Sequence, residues 1–556
     1  MFKKVVTTSL VVPAFLFATP NEPSNLVLKA ISSSSVSIHW NDNSSDESGF
    51  KIYRDDKLIK VVGTNVTTFV DSGLKANNSY KYTIKATDNY TKKPSFSKVA
   101  GVYNSAQTIA LSSPNGADIY YTLDGKTPTI NSTKYTSAIR VSQSSVIKAA
   151  LFENGKRKSD VIVNSYIVNF DTDLPIISLS LDSKYLYDDY VGIYVVGKNG
   201  AYIDGCGVTS SGDKNYAQNW KRAVKVEYFN IDHQKEFSFG ADLSIAGECS
   251  RNNAKKEFQI DLSSKYDTSS IRYKFFENKS DKTLQSFRLK TGSKGYEVGD
   301  LLTSYLVYDG FLNVDFQGDK PVQIFINGEY WGIYNMRESK DLEFISSNYS
   351  SVDTKNIDIV KVWEAKAGDM SDYNALLSYL RGSHSDAEKY NRVTQSVDIE
   401  SFIDYLSVMI YSANSNWADD NTCWRSKDKN SPYNKWRWII GDVNMGYKYS
   451  QVQNNTYQTI LSPNNHTLLS EVFKTLVKDS SFISSFKRRF RELINYTYTP
   501  ENVLLNVLDS IVDKRKYEMS NSGKYNYPNE FNSHIEDVRN FINKRNDLMI
   551  KGLEDF

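Results

Sequence analysis

The stretches NSNWADDNTCWR (residues 414–425) and WRWIIGDVNMGY (residues 436–447) decide how the larger part of this chain is read. Just upstream, DIESFIDYLSVMIYSA (residues 398–413) sets Ile399, Phe402, Ile403, Leu406, Met409 and Ile410 on one helical face, with Asp398 as the expected N-cap. The first stretch is therefore a polar loop leaving a helix. In the second, Trp436, Trp438 and Ile440 alternate onto one side of a strand, and Asp442 emerges at its end, where a ligand can approach. These are parts that phosphoryl transfer uses: a group to orient the attacking hydroxyl, and carboxylate and amide oxygens to hold a metal. The loop gives Asn416 and, five residues on, Asn421; the strand gives Asp442, with Gly446 four residues beyond. Asn416 stands where an orienting carboxylate is wanted, and Asn cannot take a proton.

Moving outward, PVQIFINGEYWGIYNM (residues 321–336) reads as a hairpin turning on Asn327-Gly328, and AVKVEYF (residues 223–229) as a further strand. Residues 468–556 read as mostly helical and rich in charge. Strands first and helices after predict one α+β, two-lobed domain over 170–556. Residues 20–103 alternate apolar and polar side chains in VSIHW, GFKIYRDD and SYKYTIKATD, separated by Asn, Asp, Gly and Ser clusters, and predict a β-sandwich. Residues 104–169 predict a second β module, with Asn154-Gly155 as a hairpin signal.

A chain of 556 residues suggests two to four domains. Its net charge of +2 carries no field that would attract nucleic acid or an anionic membrane. Residues 1–19 carry Lys3 and Lys4 ahead of a short apolar run, and read as a signal peptide, too short to span a bilayer. No later stretch is expected to cross a membrane. Cys206, Cys249 and Cys423 form no CxxC pair, so a thiolate zinc site is not expected, and their disulfide state is left open.

Three resemblances add to this reading. Trp40, Leu74, Tyr80 and Tyr82 resemble the pattern of a fibronectin type III module, with Trp40 and Tyr82 expected in its core. IYYTLDGKTPT (residues 119–129), with Tyr135 and IKA at 147–149, resembles the small C-terminal β module of chitobiase and β-hexosaminidase; Tyr120 and Tyr121 invite sugar binding, but core packing is the preferred reading. Residues 174–550 resemble the spore coat protein H (CotH) kinase family, through GIYVVGKNG, NYAQNWKRAVKVEYF, IAGECSRNNAKKEFQI (residues 245–260), QIFINGEYWGIYNMRE (residues 323–338) and the two stretches that opened this section.

The CotH resemblance implies an atypical protein-kinase-like domain behind two all-β modules. It implies ATP and Mg2+ or Mn2+ as cofactors, and Ser of a secreted or spore-coat protein as substrate, in a secreted or spore-surface setting. By position it implies Asp442 as principal metal ligand, Asn421 as the second, and Asn444 in support. Lys256, with Lys255 beside it, is the candidate for ATP phosphates, or else lies on a solvated strand edge. Arg251 could meet phosphate or a carboxylate. Glu338 could hold a lysine or a metal-bound water, or be a first-turn helix acid. Tyr334 and Trp436 could stack on adenine or belong to the core. Gly299, before Asp300, replaces an Arg of the family. Because the family has Asp at 416, Asp419 and Asp420 on the same loop are candidates to substitute for Asn416 in catalysis. Two readings follow: an active kinase with a rearranged loop, or an impaired pseudokinase that binds protein, polysaccharide or cell wall through its β modules. A glycan-processing enzyme is disfavoured for want of a carboxylate pair.

Overall fold

The computed structural model describes residues 21–44, 47, 49–63, 65–76, 78–87, 93–114, 116–198, 214–247, 249–266, 268–279, 282–291, 297–417, 421–515 and 528–553. The expected leader, Cys206, and two candidate catalytic residues, Asp419 and Asp420, lie outside the described residues. The chain divides into two units: Met1–Ile245 with Leu262–Ser269 and Ile324–Trp331, and Ala246–Asp261 with Ser270–Gln323 and Gly332–Phe556.

The first unit is β-rich. In its N-terminal module, one three-stranded sheet (Ser24–Ser32, Ser35–Asn41, Thr68–Ser72) and another (Lys57–Gly63, Gly49–Arg54, Tyr82–Thr87) bury Ile38, Trp40, Phe50, Ile52, Tyr82 and Ile84 in one core. Trp40 meets Phe50 edge-on at 5.6 Å, so the indole is a core residue as its alternation required. The second module centres on Ser145–Glu153, which pairs with Asp118–Thr122 and Ile162–Val168, and Ile147, Ala149 and Leu151 fill its core. Tyr120 and Tyr121 are half-buried against that packing, as the core reading expected. Asn154 (φ 50°) and Gly155 (φ 76°), and again Asn327 (φ 52°) and Gly328 (φ 86°), adopt the left-handed conformations that a two-residue hairpin turn needs. Ile176–Ser180, Arg222–Phe229 and Lys235–Ile245 follow as an antiparallel meander.

The second unit holds the candidate site. Ser286–Lys290 lies between Phe258–Leu262 and Glu329–Arg337, all antiparallel, with Ile260 opposite Phe287 and Leu289 opposite Met336. It leads towards the helix Glu297–Asp309, which buries Val298, Leu301, Leu302 and Leu306. A second sheet runs in the order Asp315–Phe316, Arg437–Ile440, Thr422–Ser426, Ile357–Lys361, Glu364–Ala367, with only its first pair parallel. The strand starts at Arg437 rather than Trp436, because Trp436 forms an isolated bridge to Val397 instead. The alternation holds: Trp436, Trp438 and Ile440 enter the main core, and Ile439 joins Ile357, Ile359 and Trp424 on the other face. The helix Ile399–Tyr411 packs on the first of these faces, its Phe402 ring 4.9 Å from Trp438, and the Asp398 carboxylate caps it by accepting from Ser401 N at 3.1 Å. Leu468–Leu476, Ser480–Glu492 and Pro528–Gly552 supply the expected C-terminal helices, with two π-helical stretches, Leu493–Thr497 and Asn502–Leu508, that no sequence pattern announced.

Candidate active site

Gly441 and Asp442 leave the strand Arg437–Ile440, and a short 3-10 turn, Val443–Met445, follows. Asp442 is left-handed (φ 53°, ψ 46°), a conformation that costs a non-glycine residue energy and that Asp tolerates better than most. The turn is held from two sides. Asp300, on the helix Glu297–Asp309, accepts a hydrogen bond from Val443 N at 2.7 Å. Asn414 Nδ2, just past the helix Ile399–Tyr411, donates to the Asp442 carbonyl at 3.0 Å, and Tyr447 N donates to Ser412 O at 2.8 Å. The polar loop and the strand-end Asp are therefore brought together, as their order in the chain suggested. Gly299 is also explained: a Cβ there would lie 2.7 Å from Val443 O, so a side chain at 299 would push the turn away.

The Asp442 side chain keeps 36% of its surface exposed, whereas the charges behind it are buried. Lys290 Nζ donates to Asp442 Oδ1 at 2.9 Å and to Asp300 Oδ2 at 2.6 Å. Arg337 meets Asp300 Oδ2 at 3.0 Å. It also stands 2.8 Å from Asp319, but misaligned, so among the described residues neither Arg337 Nε nor the Asp319 oxygens have a hydrogen-bond partner. Lys340 Nζ approaches Asp442 Oδ2 to 3.7 Å.

Lys290, followed against burial by Lys340, holds the Asp442 carboxyl well below the usual range. Burial pushes Asp300 up, yet Arg337 and Lys290 outweigh it and leave the group below its ordinary value. For Asp319 burial wins over Arg337 and the carboxyl is raised. Burial likewise raises Glu257, against the pull of Lys290 and Arg288. Lys290 itself is raised, because Asp300 and Asp442 overcome its burial. The result is a firmly anionic, solvent-reachable carboxylate beside a firmly cationic lysine.

The other expected site residues fall elsewhere. Lys255 is buried rather than on a solvated edge; its Nζ donates to Ile333 O at 2.8 Å and lies 4.9 Å over the Tyr334 ring. Lys256 is buried too, donating to Arg251 O at 2.7 Å and Asn253 O at 3.0 Å. Arg251 Nε donates to Gly247 O at 2.7 Å. Lys256 and Arg251 brace main-chain carbonyls at Gly247, Arg251 and Asn253, Lys255 braces Ile333, and the lysine hydrogen-bonded to Asp442 is Lys290. Tyr334 and Trp436 are each 1% exposed, which leaves no ring face for a nucleobase: they are core residues. Glu338 precedes the helix Leu342–Asn348 instead of opening it, and its Oε2 accepts from Gly318 N at 2.6 Å. Asn421 is buried, with its amide Nδ2 donating to Trp417 O (3.2 Å) and its Oδ1 accepting from Trp438 Nε1 (3.2 Å), contacts that tie it to the core. Asn444 lies in the turn after Asp442. Asn416 is exposed, and its own N–H donates to Asn414 Oδ1 at 3.4 Å.

Reading from sequence missed Lys290 and Arg337. Both end strands in which Phe287 and Leu289, or Met336, are buried, so period two assigns them to the opposite face; their charges are instead met by Asp300 of the helix Glu297–Asp309 and, for Lys290, by Asp442.

Among the described residues, no group of three or more His, Cys, Asp or Glu could hold a metal by itself. The donor set nevertheless suits Mg2+ or Mn2+ in one familiar mode, in which a single hard carboxylate oxygen shares the ion with substrate phosphates and water. Asp442 has the required charge and exposure. No described helix is long and apolar enough to cross a membrane.

Together these features define a modular protein with two β modules ahead of a mixed α/β domain that carries a buried Lys–Asp pair behind an exposed Asp. Comparison with known families gives the same order: a fibronectin type III domain matches residues 21–100, a chitobiase/beta-hexosaminidase C-terminal domain matches 98–163, and CotH kinase protein matches 243–549. The last match covers more than half of the chain, and the chain belongs to the CotH kinase protein family.

Curated relatives share shorter segments. An "Alpha-amylase" of Niallia circulans is 31% identical over 114 residues, which is 20% of this chain and 8% of that protein. "Chitinase Chi52" of Paenibacillus xylanexedens is 36% identical over 73 residues, 13% of this chain and 14% of that protein. The chain thus spans only a small part of either relative's length. Among solved structures, the central fibronectin-III array of RIM-binding protein covers 41% of this chain and 93% of its own at 11% identity and a TM-score of 0.12. The fibronectin(III)-like modules of Clostridium thermocellum CbhA cover 26% and 93% at 12% identity and a TM-score of 0.11.

Proposed function

We propose that this chain is a secreted or spore-surface protein kinase that uses ATP and Mg2+ or Mn2+ to phosphorylate Ser on a partner protein. The observation that carries the reading is Asp442: an anionic, 36% exposed carboxylate set on Lys290 within the region that matches the kinase family. ATP would supply the phosphoryl group, and the metal would neutralise charge on its phosphates. Asp442 would hold the metal. Lys290, fixed by Asp300, would offer its remaining ammonium proton to a phosphate oxygen. Asp300 and Arg337 would keep that lysine from moving, so its charge needs no reorganisation during transfer. Asn416, exposed on the loop that Asn414 ties to Asp442, would orient the incoming Ser hydroxyl without accepting its proton. A loose transition state leans more on position and charge than on a base, and the missing carboxylate reduces rather than removes activity on this reading.

The test is thermal melting of the full chain with and without ATP plus Mn2+, alongside transfer of labelled phosphate. Wild type should be stabilised by the ligands and should transfer phosphate, and Asp442→Ala should lose both. Stabilisation without transfer, with transfer appearing in Asn416→Asp, would replace the kinase by a pseudokinase. Neither effect in any variant would sink the nucleotide reading.

A second reading rests on the β modules. The partial matches to an "Alpha-amylase" and "Chitinase Chi52", and to a chitobiase-type domain, support contact with polysaccharide or cell wall through residues 21–163. The two readings are compatible: the modules would hold the chain at a surface where its protein substrate lies.

A further inference from the structure

We infer that Glu257 is a positioning residue of this site: it is the counter-charge that takes up Lys290 once Asp442 Oδ1 is given over to a divalent metal. This rests on the reading of Asp442 as the metal ligand. At rest that oxygen is occupied, because Lys290 Nζ donates to it at 2.9 Å. Lys290 cannot swing out to make room. Its side chain is 10% exposed, and it ends a strand paired on both sides. Its second bond, 2.6 Å to Asp300 Oδ2, answers a carboxylate that is 1% exposed, and leaving would strand that charge in the interior. The ammonium must therefore stay, and the proton it now gives to Asp442 needs another acceptor.

The sheet sets one beside it. Phe258 lies opposite Leu289 and Gln259 opposite Arg288, so one step along the same register puts Glu257 opposite Lys290. Opposed residues project to the same face, with Cβ atoms about 5 Å apart. On its other flank Lys290 faces Asn335, whose Oδ1 already accepts from Arg515 Nη2 at 2.8 Å. Glu257 is not engaged in this way. It is 5% exposed, and among the described residues its carboxylate has neither a hydrogen bond nor an ion pair. Its main chain is fixed, since Glu257 O accepts from Ala246 N at 2.9 Å and the neighbouring Lys256 is bonded to Arg251 O and Asn253 O. Lys290 is the cation that acts on it most strongly, ahead of Arg288. A buried carboxyl without a partner is costly, and no contact at rest offsets that cost. With Asp442 engaged elsewhere, Lys290 would keep Asp300, turn one proton to Glu257 and leave the third for a phosphate oxygen. Glu257 would also offset part of the positive charge that then gathers around Asp442.

The experiment titrates the full chain with Mn2+ alone, following loss of the free-ion paramagnetic resonance signal, and records thermal melting of the same proteins without ligand. It compares wild type, Glu257→Gln, Glu257→Asp and Asp442→Asn. Glu257→Gln should melt no lower than wild type, because no resting contact is lost. It should nevertheless bind Mn2+ about tenfold more weakly, the smallest effect expected from removing an opposite charge at this range. Glu257→Asp keeps the charge and should recover most of that affinity. Unchanged affinity in Glu257→Gln, with binding lost in Asp442→Asn, would overturn the inference and leave Asp442 as the ligand. So would a lowered melting point or a failure to fold in Glu257→Gln, which would make the carboxyl a structural group already in use at rest. Binding undiminished in Asp442→Asn, or absent from every protein, would overturn the metal reading and the role of Glu257 with it.

Discussion

Asp300 and Asp442 share one lysine but not one environment. Asp300 is 1% exposed and answers to Lys290, Arg337 and Val443 N; Asp442 faces water. Removing one partner of a buried ion cluster costs about 3–5 kcal/mol, whereas an exposed pair is worth about 1 kcal/mol or less. Urea unfolding should therefore find Asp300→Ala severely destabilised and Asp442→Asn close to wild type, although only the second change touches a group open to ligand. A different carboxyl, Glu343, contributes to the dependence of stability on pH. Burial, reinforced by Asp341, pushes Glu343 up to about 8 from an ordinary 4.5, against hydrogen bonds it accepts from Gln285 N and Ser286 N. A carboxyl raised on folding favours the folded state while it is protonated. That stability is complete below about 4.5 and is lost as pH climbs to 8. Denaturant melts over this range should show stability falling with pH, and Glu343→Gln should flatten the fall. At this scale the sequence disclosed Asp442, which ends an apolar strand, and hid Lys290, whose neighbours mark it as outward-facing. It left Tyr334 and Trp436 as either ligand contacts or core residues, and burial places both in the core.

At the scale of elements, the helix Ile399–Tyr411 was legible at its start and opaque at its end. Asp398 caps the N-terminus as its side chain and position suggest. The C-terminus, from which the Asn414 loop departs, is closed by Arg545, a fully buried residue of Pro528–Gly552. Its guanidinium donates to Tyr411 O (3.0 Å), Ile410 O, Val452 O and Asn454 O (3.0 Å). It thereby satisfies carbonyls that a helix end leaves open. Burial lowers its pKa only to about 10, so it stays charged at neutral pH and complements the helix dipole. Arg545→Met would remove this donor from all four carbonyls, of which Ile410 O keeps a bond from Ala413 N, and a loss of about 3 kcal/mol is expected from the unmade buried hydrogen bonds. In the melting experiment this variant should also show a smaller shift with ATP and Mn2+, because Asn414 would lose its footing.

For the whole molecule, local signals served well where units are small. The Asn154-Gly155 turn, strict alternation around Trp40 and a run of short strands were enough to mark out β modules. They served less well in the larger domain, where Asp442 was legible but the groups around it, Lys290, Asp300 and Arg337, come from separate elements. If the β modules bind polysaccharide, the full chain should be retained on insoluble chitin, and Asp442→Ala should leave that retention unchanged while abolishing phosphate transfer. Co-sedimentation and a transfer assay on the same two proteins check both halves.

The position of Arg545 also bears on the order in which the chain is made. A ribosome delivers the loop and Asp442 long before it delivers the residue that secures them. A nascent chain can fold its β modules early, but the segment around residues 412–416 waits for the late helix. A message cut short before that helix would yield a product that still looks like this protein at its front end and has no finished centre at its back.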